Sequence, residues 1–165
     1  MASLSGLSPK APGFVRLFNP LVERVIGAGV RLGPNALLTI RGRSSGEPRT
    51  VAIALMELDG RRFVKSPFGE VHWVRNLRAA GEATLSRGRR RESVRAVELA
   101  PEVAGPIMKT ALAPYLRSRV GSAYLGRYYA VGPRSTGADF AEAARTHPWF
   151  ELLSIAPAEV SPAAD

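Results

Sequence analysis

The sequence contains no cysteine. This absence excludes disulfide bonds, iron–sulfur clusters, thiolate metal sites and a cysteine nucleophile. The two histidines, His72 and His147, stand far apart and lack carboxylate-rich neighbours, so no metal site is expected. No apolar run approaches the ~18 residues that a membrane-spanning helix needs, and residues 1–12 lack the apolar segment of a signal peptide. We therefore expect a cytoplasmic protein.

Lysine is scarce as well. Lys10, Lys65 and Lys109 are the only lysines among 23 basic residues, and the others are arginines. The net charge is +9, and part of it reflects the arginine bias that GC-rich genomes produce. The rest favours an anionic partner: a phosphorylated cofactor, an acidic membrane surface or a nucleic acid.

The hydrophobic pattern predicts one domain of strands and helices. A length of 165 residues with 45% hydrophobic content is enough for a single core. Alternating or apolar runs predict strands at residues 37–41, 49–58, 61–66, 82–87, 92–99 and 149–155. Helices are predicted at 70–80, 102–119 and 138–145, with Pro106 and Pro114 interrupting the second. Asp59-Gly60 is a hairpin turn signal, and Gly81 is a helix-ending signal. Successive hairpins with helices at the edges predict a small barrel or an α+β sheet instead of a doubly wound parallel sheet.

The two ends of the chain differ from this pattern. Residues 1–12 are expected to be a flexible N-terminus and residues 157–165 a C-terminal tail, which leaves residues 13–156 as the domain. Apolar residues at helical spacing predict an amphipathic helix at residues 14–31. This helix could cover one end of the barrel, which we favour, lie on a membrane surface, or pair with a second subunit. A monomer and a homodimer both remain open.

Three local motifs do not carry a function. The Gly42–Gly46 segment matches the G-x-S-x-G pattern of hydrolases, but a strand follows it where that pattern needs a helix. Gly27, Gly29 and Gly33 approach a dinucleotide fingerprint with the wrong last spacing and without a preceding strand. The basic run at residues 87–91 lies in a hairpin turn without aromatic neighbours, which disfavours nucleic-acid binding.

Two longer segments point to a definite family. The first is LLTIRGRSSGEPRT at residues 37–50, and the second is SPFGEVHWVRNLRAAG at residues 66–81. In this order and at this spacing, they resemble the deazaflavin-dependent nitroreductase family, which is mostly actinobacterial. The resemblance is clear from residue 33 to 99 and looser over residues 140–153. It implies an α+β split β-barrel of the FMN-binding type, and many members of the family bind the 8-hydroxy-5-deazaflavin coenzyme, coenzyme F-420.

The resemblance also implies which residues bind the coenzyme. Its phosphate and acidic tail need fixed positive charge, which two arginines around a serine-rich turn can supply. Its planar ring needs a flat wall, which a tryptophan on the following helix can form. Ser44 and Pro67 depart from the family, because many members have lysine at both positions. The predicted cofactor-binding residues are Arg43, Ser44, Ser45, Gly46, Arg49, Ser66, Pro67, Phe68, Gly69, His72, Trp73, Arg75 and Asn76.

The implied reaction is hydride transfer from the reduced deazaflavin to an electron-poor, hydrophobic acceptor such as a quinone, an activated alkene or a nitro compound. A proton must follow the hydride, and Tyr115, Tyr124 and Tyr128 are the candidate donors. Two alternatives remain. A non-catalytic relative could bind a lipid or fatty acid in the same barrel, and a related enzyme could use FMN as its cofactor.

Overall fold

The computed structural model describes residues 35–155. The predicted helix at 14–31, both predicted terminal segments and Gly27, Gly29 and Gly33 lie outside the described residues. The described part contains six strands and four helices. In chain order they are β1 (Asn35–Arg41), β2 (Pro48–Leu58), β3 (Arg61–Lys65), α1 (His72–Ala80), β4 (Glu82–Arg87), β5 (Arg90–Glu98), α2 (Pro101–Leu116), α3 (Arg119–Tyr129), α4 (Gly137–Thr146) and β6 (Trp149–Ser154).

The strands form a closed antiparallel barrel in the order β1-β2-β3-β6-β5-β4, with β4 pairing back to β1. The architecture confirms the predicted α+β barrel with peripheral helices. The β2–β3 hairpin turns at Asp59 and Gly60, whose φ angles are 50° and 74°. Both values lie in the left-handed region, which aspartate tolerates and glycine favours. The turn signal in the sequence is therefore confirmed.

Two hydrophobic cores share the sheet, because neighbouring side chains on a strand point to opposite faces. Val64 and Phe150 lie in the barrel interior with side chains such as Leu38, and α1 contributes to the same cluster. Their chain neighbours Phe63 and Trp149 pack on the outer face against α2, α3 and α4. All of these side chains are buried. The helical layer thus covers the β3–β6 side of the barrel.

One end of the barrel carries both sequence motifs. The end of β1 lies beside the start of β2, and the end of β3 lies beside the start of β6. Loops 42–47 and 66–71 therefore emerge at the same end, where α1 inserts Val74 and Leu77 into the interior core. Helix α1 stops at Gly81, which has φ 70° and donates its N–H to the Leu77 carbonyl. We call this the motif end of the barrel.

The helical layer differs from the sequence prediction in two places. Helix α2 runs unbroken through Pro106 and Pro114, so the predicted interruptions are wrong. Packing outweighs the lost hydrogen bonds, since Gly105 brings α2 so close to α4 that a Cβ there would stand 2.8 Å from the Ala141 nitrogen. The second difference is helix α3, which lies where the sequence predicted neither a helix nor a strand and begins with a side-chain cap from Ser118. Within residues 35–155, no helix is long and apolar enough to cross a membrane.

Candidate functional site

Loop 42–47 at the motif end is a compact turn with fixed backbone geometry. The Gly42 N–H donates to the Glu47 carbonyl at 2.8 Å, and the Gly46 N–H donates to the Gly42 carbonyl at 2.9 Å. Gly46 has φ 73°, a conformation that favours glycine. The Ser45 hydroxyl accepts the Glu47 N–H at 3.3 Å. Ser44 and Ser45 are exposed, so their polar groups are available to a ligand.

Three exposed arginines surround this loop. Arg43 and Arg49 are the two that the sequence predicted. Arg41 is a third, because its guanidinium lies 3.6 Å from the place where a Cβ of Gly46 would stand. Within residues 35–155, these three are absent from the ion pairs that occupy other arginines of the barrel. Arg41 stands in the same motif, but its strand position gave no sign that its side chain would fold back over the loop.

Asn76 connects the loop to helix α1. Its side chain is buried, and its Oδ1 atom accepts a hydrogen bond from the Arg43 guanidinium at 2.9 Å and a longer one from the Arg43 backbone N–H at 3.4 Å. The two motifs are thus joined by direct contact. Sequence reasoning placed both residues in the site but did not foresee that one holds the other.

Loop 66–71 forms the neighbouring part of the motif end. Ser66 is fully buried and its backbone N–H donates to the Pro148 carbonyl at 3.1 Å. Its hydroxyl has no hydrogen-bond partner within the part of the chain that the structure describes. Pro67 and Phe68 are half-buried, while Gly69 is buried with φ 70°. An unpaired buried hydroxyl is costly in a folded protein, and a bound ligand would supply the missing partner.

The remaining predicted residues lie on two different faces of α1. His72 and Arg75 lie on the exposed face, and the Arg75 Nε atom is 3.8 Å from a Glu70 carboxylate oxygen. Trp73 is half-buried and packs against the interior core, with its ring centroid 6.3 Å from that of Phe150. The indole is therefore partly a core side chain. Its exposed part remains available at the motif end.

Of the three candidate tyrosines, one contacts loop 66–71 directly and a second contacts the first. Tyr128 contacts Phe68 edge-on with centroids 5.6 Å apart, and Tyr124 contacts Tyr128 at 4.8 Å. Burial raises the pKa of Tyr124, and the neighbouring Tyr128 adds to this shift. Tyr115 lies at the end of α2, half exposed, and none of its ring contacts within the described chain involves this loop. The structure thus brings Tyr124 and Tyr128 together with the site and leaves Tyr115 apart.

A polar cluster next to loop 66–71, in which Tyr129 and His147 are buried and Lys65 is half-buried, was missed from the sequence. Lys65, the last residue of β3, donates from Nζ to the Tyr129 hydroxyl at 2.6 Å, and the Tyr129 ring stacks on His147 with centroids 4.5 Å apart. Burial lowers the pKa of Lys65 to about 8 and also lowers the pKa of His147. The Lys65 amine has no carboxylate within 4.0 Å in the described chain. The alternation of residues along β3 does not indicate that the helices will partly cover Lys65.

A second cavity lies at the opposite end of the barrel. It has a volume of about 740 Å³ and is lined by the Asp59-Gly60 turn. Three of its four arginines are paired: Arg61 with Glu151 at 2.7 Å, Arg62 with Glu92 at 2.5 Å and Arg87 with Glu57 at 2.5 Å, while Arg90 has no ion pair within the described residues. A smaller cleft of about 390 Å³ adjoins loop 42–47 at the motif end. Within the described chain, the motif end therefore has three arginines without ion-pair partners, whereas the larger cavity has one.

The motif end fits a flat, anionic cofactor. Arginines without ion-pair partners and a tight turn suit phosphate and carboxylate groups, the unpaired Ser66 hydroxyl offers a hydrogen bond, and Phe68 and Trp73 offer planar contact. Within residues 35–155, no cluster of three His, Asp or Glu side chains could hold a metal ion.

The model of the F420H(2)-dependent quinone reductase family matches residues 14–112. Similar solved structures include an F420-H2 dependent reductase (18% identity, 75% of this chain and 98% of that one, TM-score 0.44) and an F420 reductase (15%, 81% and 93%, 0.41). General Stress Protein 26 from Bacillus anthracis is also similar (8%, 81% and 88%, 0.47).

These structural similarities are too low to argue function, and no curated protein matches the chain significantly. The family model is different, because its match spans more than half of the chain. The chain therefore belongs to the F420H(2)-dependent quinone reductase family, and it is a deazaflavin-dependent reductase whose cofactor is coenzyme F-420.

Proposed function

We propose that the motif end binds the reduced deazaflavin and that the acceptor is a quinone or a similar electron-poor molecule, such as an activated alkene or a nitro compound. The observation that carries this proposal is the contact between Arg43 and Asn76, which joins the two motifs around free positive charge. The family's name favours the quinone among these acceptors.

The arginines around loop 42–47 would hold the anionic part of the coenzyme. Arg43 and Arg49 would donate charge-assisted hydrogen bonds to its phosphate and acidic tail, and Arg41 would add a third cation beside Gly46. The Ser44 and Ser45 hydroxyls contribute neutral donors at the exposed tip of the turn. Asn76 acts through Arg43 as a positioning residue. Arg43 and Arg49 belong to the family motif, so Arg41 is the additional cation that we propose in place of the lysines that many family members have where Ser44 and Pro67 stand.

Loop 66–71 and α1 would hold the planar ring. Ser66 has a buried hydroxyl that can bond to a polar ring edge, and the Pro67-Phe68-Gly69 backbone gives a narrow wall. Trp73 supplies a flat apolar surface. His72 and Arg75, on the exposed face of α1, would reach the outer part of the coenzyme. These contacts orient the ring and exclude water from it.

When bound, the coenzyme supplies a hydride, which carries both electrons to the acceptor. The acceptor's oxygen then needs a proton, and we assign its donation to Tyr128, a proposal supported by the contact of its ring with Phe68. Tyr124 contacts Tyr128 and can restore that proton from solvent, since its side chain is 41% exposed. A tyrosine hydroxyl is an acid that is neutral at physiological pH and can donate a hydrogen bond before it donates a proton.

The test is a fluorescence titration of the purified protein with oxidised coenzyme F-420 and, separately, with FMN. We expect micromolar binding of the deazaflavin, weakened at least tenfold in Arg43→Ala and in Arg49→Ala. Arg91→Ala is the matched control, because Arg91 is an exposed arginine on β5 away from the loop. Steady-state reduction of a water-soluble naphthoquinone by the reduced coenzyme then tests the acceptor. No saturable binding of the deazaflavin would refute the proposed site.

The lipid-binding alternative predicts a different result. A fatty acid inside the barrel would need interior space, yet the interior is filled by buried apolar side chains such as Leu38, Ile53 and Leu85. Fatty acid that co-purifies with the protein, together with no response to either cofactor, would support this alternative against the reductase.

A further inference from the structure

An acid-free, basic stretch covers α2 and α3. Residues 103–138 contain no aspartate or glutamate, although the flanking Glu102 and Asp139 are acidic. Five cations occur in the same stretch, all of them exposed: Lys109, Arg117, Arg119, Arg127 and Arg134. The ion pairs of the described chain lie on the barrel, α1 and α4 or at the first turn of α2, so none neutralises these five. This stretch of the chain therefore carries five exposed positive charges and no negative one.

Exposed apolar side chains lie among these cations. Val120 is 82% exposed, which is the largest value among the exposed large hydrophobic residues of the described chain, and Tyr115 and Tyr124 are 50% and 41% exposed. Val120, Tyr124 and Arg127 follow each other at i, i+4 and i+7, so they share one face of α3. The opposite face of α3 buries Leu125 in the hydrophobic core between the helices and the outer face of the barrel. Helix α3 thus presents an apolar and basic face outward.

The corner between α2 and α3 is rigid. A Cβ on Gly121 would stand only 2.2 Å from the Tyr115 carbonyl oxygen, which shows how closely the first turn of α3 packs on the end of α2. The Ser118 hydroxyl accepts the Gly121 N–H at 3.0 Å and caps α3. Val120 therefore projects from a fixed corner, flanked in sequence by Arg119 and nearby Arg117. We call residues 115–127 the basic elbow.

We propose that the basic elbow docks onto the surface of an anionic lipid bilayer. Arginine side chains there would contact lipid phosphates, while Val120 and the two tyrosines enter the boundary between headgroups and acyl chains. An anionic bilayer would match both the cations and the exposed apolar side chains of the elbow. A nucleic acid would attract the arginines but would leave Val120, the most exposed apolar side chain, without a contact. Each arginine near an anionic membrane is expected to raise binding about fivefold.

If the proposed function is right, the position of the elbow explains how docking would bring the candidate site to its acceptor. Tyr124 lies on the elbow and contacts Tyr128, which in turn contacts Phe68 of loop 66–71. A hydrophobic acceptor dissolved in the bilayer would thus meet the protein beside the candidate site. The docking itself depends only on the charge and exposure of the elbow.

The experiment is co-sedimentation of the full-length protein with vesicles of phosphatidylcholine, with and without phosphatidylglycerol. We expect binding that requires the anionic lipid and weakens with salt. Arg117→Gln/Arg119→Gln should reduce the partition coefficient at least tenfold, and Val120→Asp should reduce it severalfold. The matched control, Arg89→Gln/Arg91→Gln, removes two exposed arginines from the β4–β5 hairpin and should stay within twofold of wild type.

Several outcomes would overturn the proposal. One is an absence of binding to anionic vesicles; another is vesicle binding that the elbow variants leave unchanged, which would assign the contact to a different part of the chain. A gel shift with duplex DNA that the elbow variants abolish, without vesicle binding, would replace the lipid by nucleic acid. Titration of the same variants with the deazaflavin keeps the two proposals separate, because the elbow variants should bind the coenzyme as wild type does.

Discussion

The Oδ1 atom of Asn76 accepts hydrogen bonds from both the guanidinium and the backbone N–H of Arg43, 33 residues away in the chain. Asn76 is buried, while Arg43 is exposed at the start of loop 42–47. A buried amide oxygen thereby fixes an exposed cation without neutralising it. Such an arrangement keeps the arginine available for an anion while reducing the entropy that it would lose on binding.

Asn76→Ala and Asn76→Asp should separate the positioning of Arg43 from the preservation of its free positive charge. The alanine variant frees Arg43, so we expect coenzyme binding about tenfold weaker and a loss of about 1 kcal/mol in the free energy of unfolding. The aspartate variant should keep Arg43 in place but pair with it. It should therefore retain stability near neutral pH and still bind the anionic coenzyme poorly. Fluorescence titration and urea unfolding check both. Equal coenzyme affinity in wild type and Asn76→Asp would contradict this role.

Gly105→Ala should loosen the helical layer. The added Cβ would stand 2.8 Å from the backbone nitrogen of Ala141, so α2 and α4 must move apart. We expect the free energy of unfolding to fall by about 1–3 kcal/mol. Gly137→Ala is the control, because no atom lies within 4 Å of its added Cβ, and it should be neutral or slightly stabilising. Chemical denaturation measures both, and equal stability of the two variants would contradict the close packing.

Lys65 should make the protein more stable as the pH rises above 8. Burial lowers its pKa to about 8 in the folded state, so between pH 8 and its ordinary value near 10.5 only the unfolded chain keeps the proton. Each unit of this shift amounts to about 1.4 kcal/mol at most. We expect the free energy of unfolding to rise from pH 8 to about pH 10, before unfolded tyrosines ionise. Lys65→Met should remove the rise, and Lys109→Met, at an exposed lysine, should keep it.

His147 should reduce stability on the acid side. Desolvation lowers its pKa in the folded state, so the unfolded chain takes up a proton first as the pH falls through its ordinary value near 6.5. The free energy of unfolding should therefore decrease between pH 7 and pH 5, above the range in which Glu92 and Glu151, whose pKa values are lowered by arginines, begin to titrate. His147→Gln should flatten this decrease and His72→Gln, at an exposed position, should not. A decrease unchanged in His147→Gln would show that another group titrates.

Local signals in the sequence predicted most of the barrel. Asp59-Gly60 and Gly81 marked chain reversals because left-handed backbone conformations select those residues. Helix α3 was missed since its glycines and tyrosines have weak helix propensity, and packing against the outer core decides its conformation. The prolines of α2 led to a wrong prediction because packing against α4, and not local propensity, decides that the helix continues.

The candidate site, too, could be predicted only in part from the sequence. Its residues were named from two motifs, but their mutual contacts depend on how distant segments meet. The Asn76–Arg43 bond and the burial of Lys65 beneath Tyr129 are long-range features, to which no spacing rule applies. The extent of the domain over residues 13–156 stays a prediction, because its first part precedes the described chain.

Tyr128→Phe should distinguish a proton donor from a packing residue. The substitution keeps the ring against Phe68 and removes only the hydroxyl. If Tyr128 gives the proton that follows the hydride, kcat should fall about 10²-fold, with little change in coenzyme affinity and a changed dependence of kcat on pH. Tyr115→Phe, at the end of α2, should change kcat less than twofold. A Tyr128→Phe enzyme with wild-type kcat and pH profile would mean that the proton comes from Tyr124 or from water, and that Tyr128 serves only to pack on the ring-binding loop.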